Sequence, residues 1–157
     1  MEIPEMNNSL ERLEVLVGQW NLEAIWPEGG PEEVAGTCTF EWELGGRYLV
    51  QRTELTIPEA PDTVAVIGPD SRDDARATFV QHYFDSRGVT RIYAMELGDT
   101  GLTLERKTPD FSPLDFWQRY VGHLSEGSSQ IRGAWEASTD EGRTWDHDFE
   151  LNFTRMT

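Results

Sequence analysis

Cysteine is nearly absent from this chain, Cys38 being the only one. A lone cysteine excludes an intramolecular disulfide and any CxxC metal site, and it gives no sign of an oxidising compartment. Histidine is almost as scarce, with three in 157 residues, so candidates for imidazole chemistry are few. Positive charge is also short: 13 Lys+Arg stand against 29 Asp+Glu, a formal net charge of -16. That field repels phosphate backbones and anionic lipid, which argues against nucleic acid or a membrane surface as partner. No stretch approaches the ~20 apolar residues of a membrane span. The opening "MEIPEMNNSLERLEVLVGQW" lacks the basic start and apolar run of a signal peptide, and a cytoplasmic location is expected.

What the chain does have is six Trp and many short alternating segments. Its length suits one domain over residues 1–157, long enough to bury a core without disulfides or metals. The acidic residues are interleaved with aromatics, which reads as a solvated exterior around a rich core. In "NNSLERLEVLVG", an Asn or Ser can cap and Leu10, Leu13, Leu16 and Val17 fall on one side before Gly18, so a helix is expected over about 8–17. From about residue 18 to 156 the period is two. Segments such as "TCTFEWEL", "RYLVQRTEL", "ATFVQHYF", "VTRIYAMEL" and "TWDHDFELNFTR" are joined by hairpin-length links, giving about ten strands. No strand is followed by a crossover helix, so the sheet is expected to be an antiparallel meander. Closure removes the two exposed edges. The reading is therefore all-β: a closed antiparallel up-and-down barrel with a short N-terminal helix. A barrel of this strand number can enclose a small ligand.

The helix running into "LVGQW" resembles the Gly-x-Trp start of calycin barrels, which include lipocalins, fatty-acid-binding proteins and nitrobindins. The series "FEWELGGRYLVQR", "HYFDSRGVTRIY", "FWQRY", "GAWEAS" and "TWDHDFEL" is similar, over nearly the whole chain, to a bacterial family of calycin-like barrels of unknown function. The resemblance implies that Trp20 packs across a closed barrel end. It brings no established activity.

Candidate site residues follow from strand parity and from that resemblance. His82 ends an apolar strand just before a hairpin and is a candidate ligand contact or catalytic group, or else a structural histidine. With Tyr83 or Tyr93 it would serve a cofactor-free isomerase, cyclase or hydratase by proton transfer. Both sides of its strand are partly apolar, which points to cover by the N-terminal helix or by a second copy in a homodimer. In the last strand Trp145, His147, Phe149, Leu151 and Phe153 alternate, and a histidine among buried aromatics needs a partner or a ligand. By resemblance to nitrobindins, His147 would be the axial ligand of a haem handling nitrogen oxides or peroxynitrite; without that group the barrel needs no cofactor. Arg91 alternates with Tyr93 and Met95, and Arg119 with Trp117 and Val121. As in fatty-acid-binding proteins, Arg91, Tyr93, Gln118 and Arg119 could hold a carboxylate, which in a dry site needs fixed, bidentate donors. The competing reading is an outer ion pair or cation–π contact. Trp42, Gln51 and Trp135 complete the candidate lining. The leading function is binding of a small apolar or amphipathic molecule inside the barrel.

Overall fold

A computed structural model describes residues 8–27, 34–56, 60–70 and 78–156, with side chains from Leu10 onward. Ten antiparallel strands form the barrel: β1 Gly18–Ile25, β2 Val34–Glu43, β3 Tyr48–Leu55, β4 Thr63–Pro69 and β5 Thr78–Asp85 make its first half. β6 Thr90–Leu97, β7 Gly101–Arg106, β8 Trp117–Leu124, β9 Gln130–Ser138 and β10 Asp146–Arg155 make the second. Each strand pairs with its chain neighbours and β10 pairs with β1, so the sheet closes without an edge. Where a continuous helix was expected over about 8–17, the chain makes one α-helical turn, α1 Asn8–Glu11, and continues as a 3₁₀ segment, Arg12–Leu16. Among the described residues no helix is long and apolar enough to cross a membrane.

The closed end explains the Gly-x-Trp pattern atom by atom. Leu10, Leu13 and Leu16 are buried and plug the barrel. Trp20 is fully buried, and its Nε1 donates to the Leu16 carbonyl at 2.9 Å. Arg155 is the register partner of Trp20 across β1 and β10, and its guanidinium lies 4.1 Å over the indole ring. The same guanidinium donates to the carbonyls of Val17, at 2.7 Å, and Val15. Gly18 has φ +127°, and a Cβ there would stand 2.9 Å from Arg155 Nη1. A side chain at position 18 would therefore be strained in backbone and would displace the arginine.

Inside the barrel large apolar side chains gather towards this end. Phe40, Leu49, Ile67, Phe79, Met95 and Ile131 are buried there. Tyr120 reaches across β9, donating to the Leu151 carbonyl on β10 at 2.7 Å. Its path runs over Gly133, where a Cβ would meet the ring at 2.5 Å and the Val121 carbonyl at 2.6 Å. Gly133→Ala is accordingly expected to destabilise the barrel by about 1–3 kcal/mol, the range for overpacking a core. Urea unfolding followed by tryptophan fluorescence measures it, and an unchanged midpoint would contradict the packing.

Candidate functional site

The apolar side chains do not fill the barrel. A cavity of about 460 Å³ opens at the mouth opposite the 3₁₀ plug and reaches down to Leu16. Small or polar inward residues leave room for it: Ala24 on β1, Thr53 on β3, and Thr63 and Ala65 on β4. The deeper wall is apolar, with Leu22, Met95, Leu102 and Leu104. Around the mouth stand Trp26, Tyr83, Arg87, Arg91, Phe116 and Phe149. Trp26 stacks on Phe149 with ring centroids 5.1 Å apart.

The polar groups of the cavity form two small sets. On β3 and β5, Gln81 Nε2 donates to Gln51 Oε1 at 3.2 Å. On β6 and β8, Tyr93 donates its hydroxyl to Gln118 Oε1 at 3.1 Å. Arg91 lies two residues above Tyr93, its guanidinium 5.8 Å from the centre of the Phe116 ring. The Arg91 Nε is buried and has no hydrogen-bond acceptor. A buried N–H on a cation is costly without a partner, so this one calls for an acceptor.

Burial pushes the phenol of Tyr93 above its ordinary value. Burial does the same at Tyr83, reinforced by the Asp85 carboxylate to which Tyr83 donates at 2.8 Å. Burial likewise raises Tyr120. The three phenols are therefore neutral hydrogen-bonding groups and weak acids. At Asp85 burial pushes the carboxyl up, but bonds from Arg87 and Tyr83 together hold it below the usual range. The ion pair with Arg87, 2.7 Å long, fixes the β5–β6 hairpin at the mouth.

A second buried pair shapes the rim from the other side. Arg106, at the end of β7, and Asp110 are both almost fully buried and meet at 2.8 Å. Asp110 also accepts from the backbone N–H of Ile92 and of Ser112, each at 2.9 Å. Arg106 further donates to the carbonyls of Ser112 and Pro113. This clamp holds the segment between β7 and β8, and thereby Phe116, against the edge of β6.

Of the residues nominated from sequence, Gln51, Arg91, Tyr93, Gln118 and Trp135 line the cavity. The others lie elsewhere. Trp42 is at the closed end, its Nε1 donating to Glu14 at 2.6 Å. Arg119 is on the outer face, paired with Glu136 at 3.0 Å and stacked 4.0 Å over Trp145; the competing outer reading describes it. His82 is exposed on the outer face, beside Val66 and Ile92 in register, while Tyr83 and Tyr93 face inward. The His82–Tyr pair proposed for proton transfer is therefore not assembled. The outer neighbours Val64 and Phe84 remain about two-fifths exposed, at 40% and 42%, and the N-terminal helix plugs the barrel end instead of covering them.

His147 is corrected most clearly. It pairs with Glu136 on the outer face, whereas Phe149 pairs with Trp135 inside, because a bulge shifts the register between them. One extra residue reverses the face. Asp148 is the unpaired extra residue, exposed and bordering the cavity, and His147 stays exposed outside. His123 is exposed as well, so no histidine lines the cavity and an axial imidazole for haem is not available within it. The residues present do not fit a nitrobindin-type haem. Gln81, Tyr83, Trp26 and Phe116 were not nominated as lining; parity with buried Phe79 would have found the first two.

The sequence profile of the family described as "Protein of unknown function (DUF1579)" matches residues 6–155. The chain belongs to that family. No curated protein matches this DUF1579 member. Among solved structures it is similar to the crystal structure of Rv2717c from M. tuberculosis, with a TM-score of 0.69 and 11% identity, covering 98% of this chain and 100% of that one. At that identity the likeness concerns the fold. The DUF1579 barrel thus shares its architecture with Rv2717c.

Proposed function

We propose that this barrel binds one small, mainly apolar molecule bearing a carboxylate or carbonyl, with that polar group held at Arg91. The observation that carries the reading is the unpartnered, buried Arg91 Nε at the mouth of an apolar cavity of about 460 Å³. Cavities of roughly 300–1,000 Å³ with a few convergent polar groups are the size that takes a drug-like ligand. Burial of the ligand's apolar part supplies the affinity, and the guanidinium supplies orientation. The Gln118 amide, whose oxygen is occupied by Tyr93, has its N–H groups left for a second bond to the same polar head.

A straight-chain carboxylate and the alcohol of equal length, titrated against the intact chain by calorimetry, test this. The carboxylate is expected to bind more tightly. Arg91→Ala is expected to weaken it by about 1.5–3 kcal/mol, the value of a hydrogen bond to a charged group, or roughly tenfold to a hundredfold. The alcohol's affinity should change little. Equal affinities of acid and alcohol, unchanged in Arg91→Ala, would sink the role given to Arg91.

A further inference from the structure

The walls of the cavity are unequal. Four of its aromatic side chains, Tyr83, Tyr93, Trp135 and Tyr120, touch in series across β5, β6, β9 and β8, while Trp26, Phe40, Phe116, Phe149 and Phe153 line it elsewhere. In the closed strand order, β4 lies five places from β9, and β3 five places from β8, so these pairs of strands face one another. On the facing strands the middle inward residues are small or polar, Thr63 and Ala65 on β4 and Gln51 and Thr53 on β3, with the larger Leu55 and Ile67 at the ends of the two strands. Those small residues leave room opposite the rings. Trp135 stands between Tyr93 and Tyr120, its centroid 5.4 Å from each, with interplanar angles of 59° and 49°. It is half-buried, while both tyrosines are almost fully buried, so Trp135 is the ring with surface left to offer.

We infer that the preferred ligand is a planar, conjugated carboxylic acid whose ring system lies against Trp135, which Tyr93 backs, with its carboxylate at Arg91. This rests on the reading that the cavity binds an acid and adds the shape of its apolar part. Arg91 and Tyr93 are two residues apart on β6, roughly 7 Å along a strand, so the acid group is attached to the ring system directly or through one or two atoms. A flat ligand on that wall gains ring–ring contact beyond the area it buries. An alkyl chain of the same carbon number gains the desolvation alone and must freeze its rotors to do so.

The probes are 2-anthracenecarboxylate and pentadecanoate, which have equal carbon number, titrated into the full-length chain. The aromatic acid is expected to bind at least about tenfold more tightly. Trp135→Leu should remove most of that preference while leaving pentadecanoate within about twofold of its original affinity. Should Trp135→Leu unfold, Trp135→Phe keeps a smaller ring and is expected to lose part of the preference, and the comparison of the two acids on the unaltered chain stands without any variant. Equal binding, or tighter binding of pentadecanoate, overturns the planar-ligand inference and leaves the acid reading intact. Failure of both acids to bind overturns the two together.

Discussion

Asp110→Ala is expected to cost the barrel about 3–5 kcal/mol, the penalty for removing one partner of a buried ion pair. The clamp is buried on both sides, 1% and 2% exposed, so the groups that lose the carboxylate lie away from bulk water. Removing it leaves the Arg106 charge with carbonyl acceptors only, and leaves the N–H groups of Ile92 and Ser112 without their bonds. For a chain of this size, with about 2–4 °C per kcal/mol, the fall in Tm is on the order of 10 °C. Differential scanning calorimetry reads it directly, and a fall of under about 2 °C would show that the clamp contributes little. The pH dependence has a definite sign. The Arg106 guanidinium, with the Ile92 and Ser112 N–H groups, holds the Asp110 carboxyl well below the usual carboxylate range. A depressed folded value means the contribution is complete above the unfolded value of about 4 and is lost as pH falls from there through the folded value. Asp110→Asn should therefore flatten the acid limb of the stability curve, while changing its slope little above about pH 5.

Arg155→Ala is expected to destabilise by about 3 kcal/mol, from charged hydrogen bonds worth about 1.5–3 kcal/mol each and a desolvated cation–π contact of about 2, less the entropy of holding the side chain. It strips the Val15 and Val17 carbonyls of their donor and uncovers the Trp20 ring at the plugged end. Arg155→Lys keeps the charge but lacks a planar fork able to meet two carbonyls while lying flat on the indole. It should recover less than half of the loss. Urea unfolding of both variants measures the pair, and full rescue by lysine would show that charge alone matters there. The Arg91 site lies at the other end, so neither substitution should change ligand affinity in the folded protein.

The barrel was legible because its signals are repeated: alternation recurs in every segment, hairpin links recur between them, and no crossover helix interrupts. The site was legible only in part, and each miss has a physical cause. For β8 the apolar rule points the wrong way. Its outer face carries Trp117, Arg119 and Val121, while Gln118, Tyr120 and Gly122 face inward, because a wall that lines a cavity need not be uniformly apolar. Choosing Arg91 over Arg119 therefore requires coordinates. In β10, alternation from Phe153 back to His147 holds only if the strand is regular, and the bulge before Phe149 breaks it. At β2, Trp42 has inward parity yet sits at the plugged end beside Glu14, since parity fixes a face and says nothing about depth along the axis. The clamp had no sequence signal beyond an Arg and an Asp four residues apart, which on a helix would be an unremarkable surface pair.

On the proposed reading the ligand enters the barrel and Arg91 receives its acid group. The most direct measurement is ¹H–¹⁵N and methyl NMR of the labelled chain during titration with 2-anthracenecarboxylate, including the Arg91 Nε–H signal. Large shifts are expected at Arg91 Nε–H, Tyr93, Met95, Gln118 and Trp135, with His82, Arg119 and His147 on the outer face unaffected. Shifts confined to the outer face, or an Arg91 Nε–H signal that does not move at saturation, would rule out binding of the acid at Arg91.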